Sequence, residues 1–413
     1  MLPALHRLRL QEPPPVLYHL YQAQEEWAAR LRPLARHTAA LLAATEPGRT
    51  ASLPLHLLED LGTTHAKPAF GLAETRSGDR PVAVREETVA EAPFGRLLRF
   101  AKDTPRPGPP LLVVAPLSGH FATRLRGTVA ALLPDHDVHL TDWADAREVP
   151  AAAGPFGLDD QVAQLVAWLE TMGAGAHLLA VSQPAVAALA AAALMAEDAN
   201  PARPRSLTLI AGPVDPRVAP TREGKLARAL PPGWFATAET ALVPPPFPGA
   251  GRRVRPGTQQ LAASVLSDLQ AHALAQLAQL RALAAGDAAA AAAHRARYDE
   301  LRSVMDVPGE LYLDTIHRIF RAAELAQGRM EWRGRPVRPE AIRDTALLVV
   351  EGTEDASCPP GQASAALGLC RGLPAAARHH HLQPGAGHDA LFEGPAWEAE
   401  ICPLVARVIR AAD

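Results

Sequence analysis

A chain of 413 residues exceeds what one compact core usually holds, so a main domain with an insertion or extension is expected. Hydrophobic residues make up 48% and charged residues 21%, a globular composition that excludes a disordered chain. The formal net charge of −3, with no long run of one sign, argues against a nucleic-acid partner.

The opening MLPALHRLRLQEPPP lacks the uninterrupted apolar stretch of a signal peptide. No later segment carries eighteen or more apolar residues without charge, so no transmembrane segment and a cytoplasmic location are expected. Residues 17–45, LYHLYQAQEEWAARLRPLARHTAALLAAT, place apolar residues three and four apart, with a break at Pro33. This helical extension, residues 1–75, could dock on an apolar surface, but is more readily expected to pack on its own protein or against a second subunit of a homodimer.

From Pro81 the texture changes to short β-like runs alternating with helices. Strands are expected at 81–92, 95–100, 111–117, 137–143, 176–182 and 206–212, with helices at 124–133, 158–172 and 184–199. Such alternation implies a mostly parallel, doubly wound α/β sheet. It stops after AGPVDPR and resumes with TALLVVEG, leaving residues 216–340 as a mostly helical cap insertion. Residues 76–215 and 341–413 would then be the two parts of one core, the arrangement of an α/β-hydrolase.

Three candidate groups fall at the carboxyl ends of these strands, where open α/β sheets place their sites. Ser182 ends AHLLAVS, Asp355 follows TALLVVEG, and His388 follows HHHLQPG. The order Ser…Asp…His is that of the α/β-hydrolase triad, in which the imidazole takes the serine proton and the carboxylate fixes its tautomer. Singly, each has a plainer reading as a helix cap, a turn residue or a solvated loop histidine. Asp215 is a rival acid at the end of its own strand.

In AVSQPAV the usual glycines around a nucleophile elbow are replaced by Ala180 and Pro184. Alanine is the smallest substitute, and proline loses nothing in a first helical turn. The backbone N–H of Gln183 would be one oxyanion donor, and that of Leu117 or Ser118, in APLSGHF, a second. His120 in the same loop would position substrate. The run His379–His380–His381 alternates sides of a strand and cannot converge on one ion, and Cys358, Cys370 and Cys402 are too scattered for a zinc site, so no metal is expected. Arg252, Arg253 and Arg255 read as a solvated face.

Several stretches together resemble the intracellular polyhydroxyalkanoate (polyhydroxybutyrate) depolymerases of bacteria. They are KPAFG, PLSGHFATRLRGTVAALLPDHDVHLTDWADAREVP, AVSQPAVAALAAAALMAEDA, MEWRGRPVRPEAIRDTALLVVEG and RHHHLQPGAGH, spread over nearly the whole chain. The resemblance implies hydrolysis of amorphous polyester granules to 3-hydroxybutyrate and its oligomers, without a cofactor, with the granule as partner. It carries the nucleophile onto Ser182, the acid onto Asp355 and the base onto His388. That family's nucleophile is a cysteine, in A-V-C-Q-P, whereas this chain has serine. The competing readings are a polyhydroxyalkanoate synthase-like acyltransferase and a granule-binding protein with a silenced site.

Overall fold

A computed structural model describes residues 16–59, 62–267 and 269–413. The opening MLPALHRLRLQEPPP lies outside the described residues. Two helices come first, α1 (Val16–Leu42) and α2 (Glu46–Glu59). Seven strands follow: β1 (Glu74–Ser77), β2 (Arg80–Ala92), β3 (Gly95–Lys102), β4 (Pro110–Val114), β5 (Asp137–Trp143), β6 (His177–Val181) and β7 (Ser206–Ile210). Between the last four lie α3 (Arg126–Leu132), α4 (Leu158–Met172) and α5 (Ala185–Glu197). The insertion contains α6 (Arg222–Ala229), α7 (Pro232–Ala238), α8 (Gly257–Ser267), α9 (Leu269–Ala285), α10 (Ala288–Arg302) and α11 (Gly309–Asp314). Threaded among them are β8 (Ala241–Leu242), β9 (Arg253–Arg255), β10 (Val307–Pro308), β11 (Glu331–Trp332) and β12 (Arg335–Pro336). Strands β13 (Ala346–Gly352) and β14 (Arg378–Gln383) then precede the terminal helix Cys402–Ala412.

The chain divides into two units. One comprises Ala69–Ala144, Ala153–Leu230 and Glu310–Asp413. Its nine strands run β1-β2-β3-β5-β4-β6-β7-β13-β14, antiparallel from β1 to the β3–β5 pair and parallel beyond it. This is an α/β-hydrolase fold with a mostly parallel sheet. The central strands β4, β6 and β7 are mostly apolar and buried almost end to end, as strands of a parallel sheet covered on both faces are. Helix α5 is alanine-rich for the same reason, with every residue from Ala185 to Met195 buried. Small side chains let it lie close to the sheet.

The other unit comprises Met1–Pro68, Asp145–Ala152 and Pro231–Gly309. Helix α1 continues through Pro33, where a break was expected. Proline removes one hydrogen bond and costs about 3 kcal/mol in a helix interior. Packing offsets this: Ala28, Ala35 and Ala39 are buried on one face, and Arg36 reaches Asp299 at 2.9 Å. On another face Leu20, Trp27, Leu34 and Leu41 recur every seventh residue and are exposed.

Two further expectations change. Residues 216–340 are not one body, because Pro231–Gly309 clusters with the first helices while the rest joins the sheet unit. There, Arg228 and Arg321 bond the carbonyls of Phe320 and Leu230, tying α6 to the π-helical turn Thr315–Arg321. Nor is the arginine group a solvated face. Arg252 is buried and donates to the carbonyls of Val149 (3.2 Å) and Pro150 (2.7 Å), and Arg253 donates to those of Ala236 and to Thr240 Oγ1. Long stems with multiple donors can satisfy buried carbonyls, which a reading by charge alone overlooks.

Candidate active site

Strand β6 delivers Ser182 into a tight turn at φ 62°, the left-handed region that a side chain other than glycine's occupies at a cost of roughly 1–3 kcal/mol. The turn is held by Ser182 N–H donating to Ile210 O at 2.8 Å and by Ala185 N–H donating to Ser182 O at 3.1 Å. Pro184 sits just ahead of α5, so Ser182 is not its cap. The close approach is made possible by a glycine on the neighbouring strand end. A Cβ at Gly212 would fall 2.1 Å from Ala185 Cβ. Room that a reading of AVSQPAV seeks within the motif is supplied in part from another strand.

Ser182 Oγ lies 3.1 Å from His388 Nε2, and His388 Nδ1 lies 2.8 Å from Asp355 Oδ2. The other oxygen of Asp355 accepts from the N–H groups of Ser357 and Cys358, each at 2.8 Å. Thr353 N–H donates to Gln383 O and Glu354 N–H to Ala386 O, binding the acid turn to the histidine turn. A Cβ at Gly352 would come 2.4 Å from Ala386 O, so only glycine permits that approach. Burial disfavours a charged His388 ring, but the hydrogen bond and charge of Asp355, with a smaller contribution from Asp389, raise its pKa above the ordinary histidine value. Asp215 plays no part in this contact. Its carboxylate is paired bidentately with Arg217, both bonds 2.8 Å, and that hydrogen bonding holds its pKa low.

The oxyanion candidates need one correction. Leu117 N–H donates to Gln183 Oε1 at 3.3 Å, so it is already engaged. The cause is a buried partner on α4: Gln161 and Gln183 exchange amide hydrogen bonds of 3.3 and 3.2 Å, which turns Oε1 of Gln183 toward Leu117. Among the described residues neither Gln183 N–H nor Ser118 N–H has an acceptor. His120 is half-buried in the same loop.

Two supporting residues escaped the sequence reading. Gln161 sits on the buried face of α4, where a fully buried amide needs partners. Glu351, buried near the end of β13, accepts from the N–H groups of Gly361 (2.8 Å), Ala363 (2.9 Å) and Ser364 (3.0 Å), and its other oxygen meets His380 Nε2 at 2.9 Å. An acid ending the apolar run LLVVEG was the available signal. His381 Nε2 instead pairs with Gln383 Oε1 at 2.7 Å, so the histidine run serves separate partners.

The family described as PHB de-polymerase C-terminus matches residues 211–413, a span that includes Asp355 and His388 but not Ser182. No curated protein matches in sequence. An alpha/beta hydrolase fold protein from Nakamurella multipartita is similar in structure, at 16% identity and TM-score 0.42, over 80% of this chain and 100% of that one. The enol-lactonase from Burkholderia xenovorans LB400 is similar at 15% identity and TM-score 0.42, over 82% and 98%. The monoacylglycerol lipase of Paleococcus ferrophilus is similar at 14% and 0.42, over 74% and 97%. Residues 211–413 are thus similar to the PHB de-polymerase C-terminus family, in a chain whose sheet has the strand order of an α/β-hydrolase fold.

Proposed function

We propose that this protein is a carboxylic ester hydrolase that depolymerises amorphous poly(3-hydroxybutyrate), or a similar short-chain polyhydroxyalkanoate, on granules inside the cell. The observation that carries the reading is the hydrogen-bond chain from Ser182 Oγ through His388 to Asp355. The match over residues 211–413 supports the polyester as substrate. The exposed stripe of Leu20, Trp27, Leu34 and Leu41 on α1 is an apolar surface of the kind that a water-insoluble polymer would meet.

In this mechanism Ser182 Oγ attacks the ester carbonyl while His388 Nε2 accepts its proton. Asp355, held in place by the N–H groups of Ser357 and Cys358, keeps the Nδ1 proton directed toward itself and stabilises the imidazolium. The N–H groups of Gln183 and Ser118 receive the developing oxyanion. His388 then protonates the departing alkoxide of the next 3-hydroxybutyrate unit. Water, activated by the same imidazole, releases the acyl group from Ser182.

The test is release of soluble 3-hydroxybutyrate from amorphous granules. Ser182→Ala should lower turnover by roughly 10⁴-fold or more, leaving only what binding and the oxyanion donors supply. Denaturing mass spectrometry should find an acyl adduct on Ser182 in the parent protein. Unchanged turnover in the alanine variant would sink the mechanism, and release from other esters but not from the polymer would sink the substrate.

A further inference from the structure

The 3₁₀ turn Ala122–Leu125 and helix α3 directly after it leave the loop APLSGHF, which carries Ser118. Two of their side chains reach the turn that holds His388. Arg124 Nη2 donates to Asp389 Oδ2 at 3.1 Å, and Thr128 Oγ1 donates to Phe392 O at 2.5 Å. Arg124 and Thr128 are four residues apart, the spacing that places side chains on one helix face. Arg126, between them, turns elsewhere and donates to the carbonyls of Ala69 and Phe70. The histidine turn is itself tight: Leu391 N–H donates to His388 O (3.2 Å) and Phe392 N–H to Asp389 O (3.1 Å). It brings the buried Phe392 ring edge-on to the imidazole, with centroids 5.8 Å apart. A shift of Phe392 therefore moves the wall against which His388 rests.

We propose that Arg124 and Thr128 are positioning residues for His388, and that the Arg124–Asp389 pair sets the balance of charge beside the imidazole. The inference rests on the triad chemistry proposed above and adds the groups that hold and tune its base. Stability does not explain the ion pair. Asp389 is about half exposed, and an ion pair open to water contributes little to folding. Thr128 is different: it is fully buried, so its hydroxyl needs an acceptor, and a carbonyl of the histidine turn supplies one. One bond fixes where the turn lies, and the other fixes which charges face the ring.

Three charged groups act on the imidazole: Asp355 from the acid turn, Asp389 on its own turn and Arg124 from the 3₁₀ turn. The two carboxylates raise its affinity for a proton, and the guanidinium lowers it. Without Arg124, Asp389 would hold the ring protonated to higher pH, and a protonated ring cannot accept the serine proton. Without Asp389, Arg124 would oppose the imidazolium that forms during attack. Paired, the two charges offset each other while the helix that follows the oxyanion loop stays tied to the base.

Histidine resonances of the isotope-labelled full chain, titrated by NMR, report the imidazole directly, and the signal lost in His388→Gln identifies it. Arg124→Met should move the midpoint to higher pH and Asp389→Asn to lower pH, with the double variant between them. The acid limb of kcat/KM on a soluble butyrate ester should shift in the same directions. Thr128→Val should lower kcat by up to about 10²-fold with KM nearly unchanged, and Thr128→Ser should restore it. Shifts of the same sign, no shift in either variant, unchanged kcat in Thr128→Val, or a Thr128→Ser enzyme as slow as Thr128→Val would each overturn the assignment. The NMR midpoints need no substrate. A parent that shows these shifts yet spares the polymer would fault the proposed substrate and leave the pair standing.

Discussion

In the sheet unit, Asp355 takes two of its hydrogen bonds from N–H groups only two and three residues ahead, and one from His388 on the adjoining turn. In the helical unit, Asp306 is held by Tyr18, 288 positions away, and by Gly257, 49 away. The first arrangement is built by strand ends. Parallel register sets β13 beside β14 residue by residue, and the turns that leave them arrive together. The second is built by side chains that meet only when distant helices and loops pack, and it stores buried charge that must be balanced within the cluster. Local geometry can hold a reacting group at a defined distance, whereas a long-range cluster mainly ties segments together.

The largest test of this contrast is Asp355→Asn. It keeps the shape of the turn but reverses the tautomer preference of His388, so turnover should fall roughly 10⁴-fold with little change in polymer binding. The pH profile adds a signature. Since only neutral His388 can accept the serine proton, kcat/KM should decline as pH falls through its pKa, which is raised above the ordinary value near ~6.5. Without Asp355 the acid limb should move to lower pH. Linkage has the opposite sense for stability: the His388–Asp355 contact contributes fully below about pH 6.5 and fades as pH rises through the raised value. A limb that stays in place in the asparagine variant would show that another group sets it.

A smaller effect is expected from Gln161→Leu. Losing the amide pair frees Gln183 to reorient, releasing Leu117 N–H and loosening the turn beside the nucleophile. Turnover should drop about 10²-fold or less, with KM nearly unchanged, since one oxyanion donor is worth about 10²–10³. A change in KM alone would instead assign Gln161 to binding. Smallest should be Arg252→Met in the helical unit, which strands the carbonyls of Val149 and Pro150. Denaturant unfolding should show a loss of about 1–3 kcal/mol, with turnover per folded molecule unchanged. A loss of turnover would make the helical unit part of the chemistry and dissolve the contrast.

Much of the sheet unit is legible in the chain. The runs 137–143 and 158–172 form β5 and α4 over those very residues, because β5 is buried along its length and α4 has a full amphipathic period. Ser182, Asp355 and His388 could be named in advance since each follows a strong strand signal. Strands β8–β12 could not, as two or three residues carry no alternation to read.

Periodicity and strand-end position therefore determined the alternating core and which serine, acid and histidine to compare, because both depend on near neighbours in the chain. Only tertiary structure decided that Gly212 makes room for the elbow, that Gln161 occupies Leu117 through Gln183, that Pro33 stays helical, and that His65 meets Asp145 and Asp306. Each of these depends on which surface a side chain is pressed against. That is a property of packing between residues far apart in sequence, on which local pattern has no purchase.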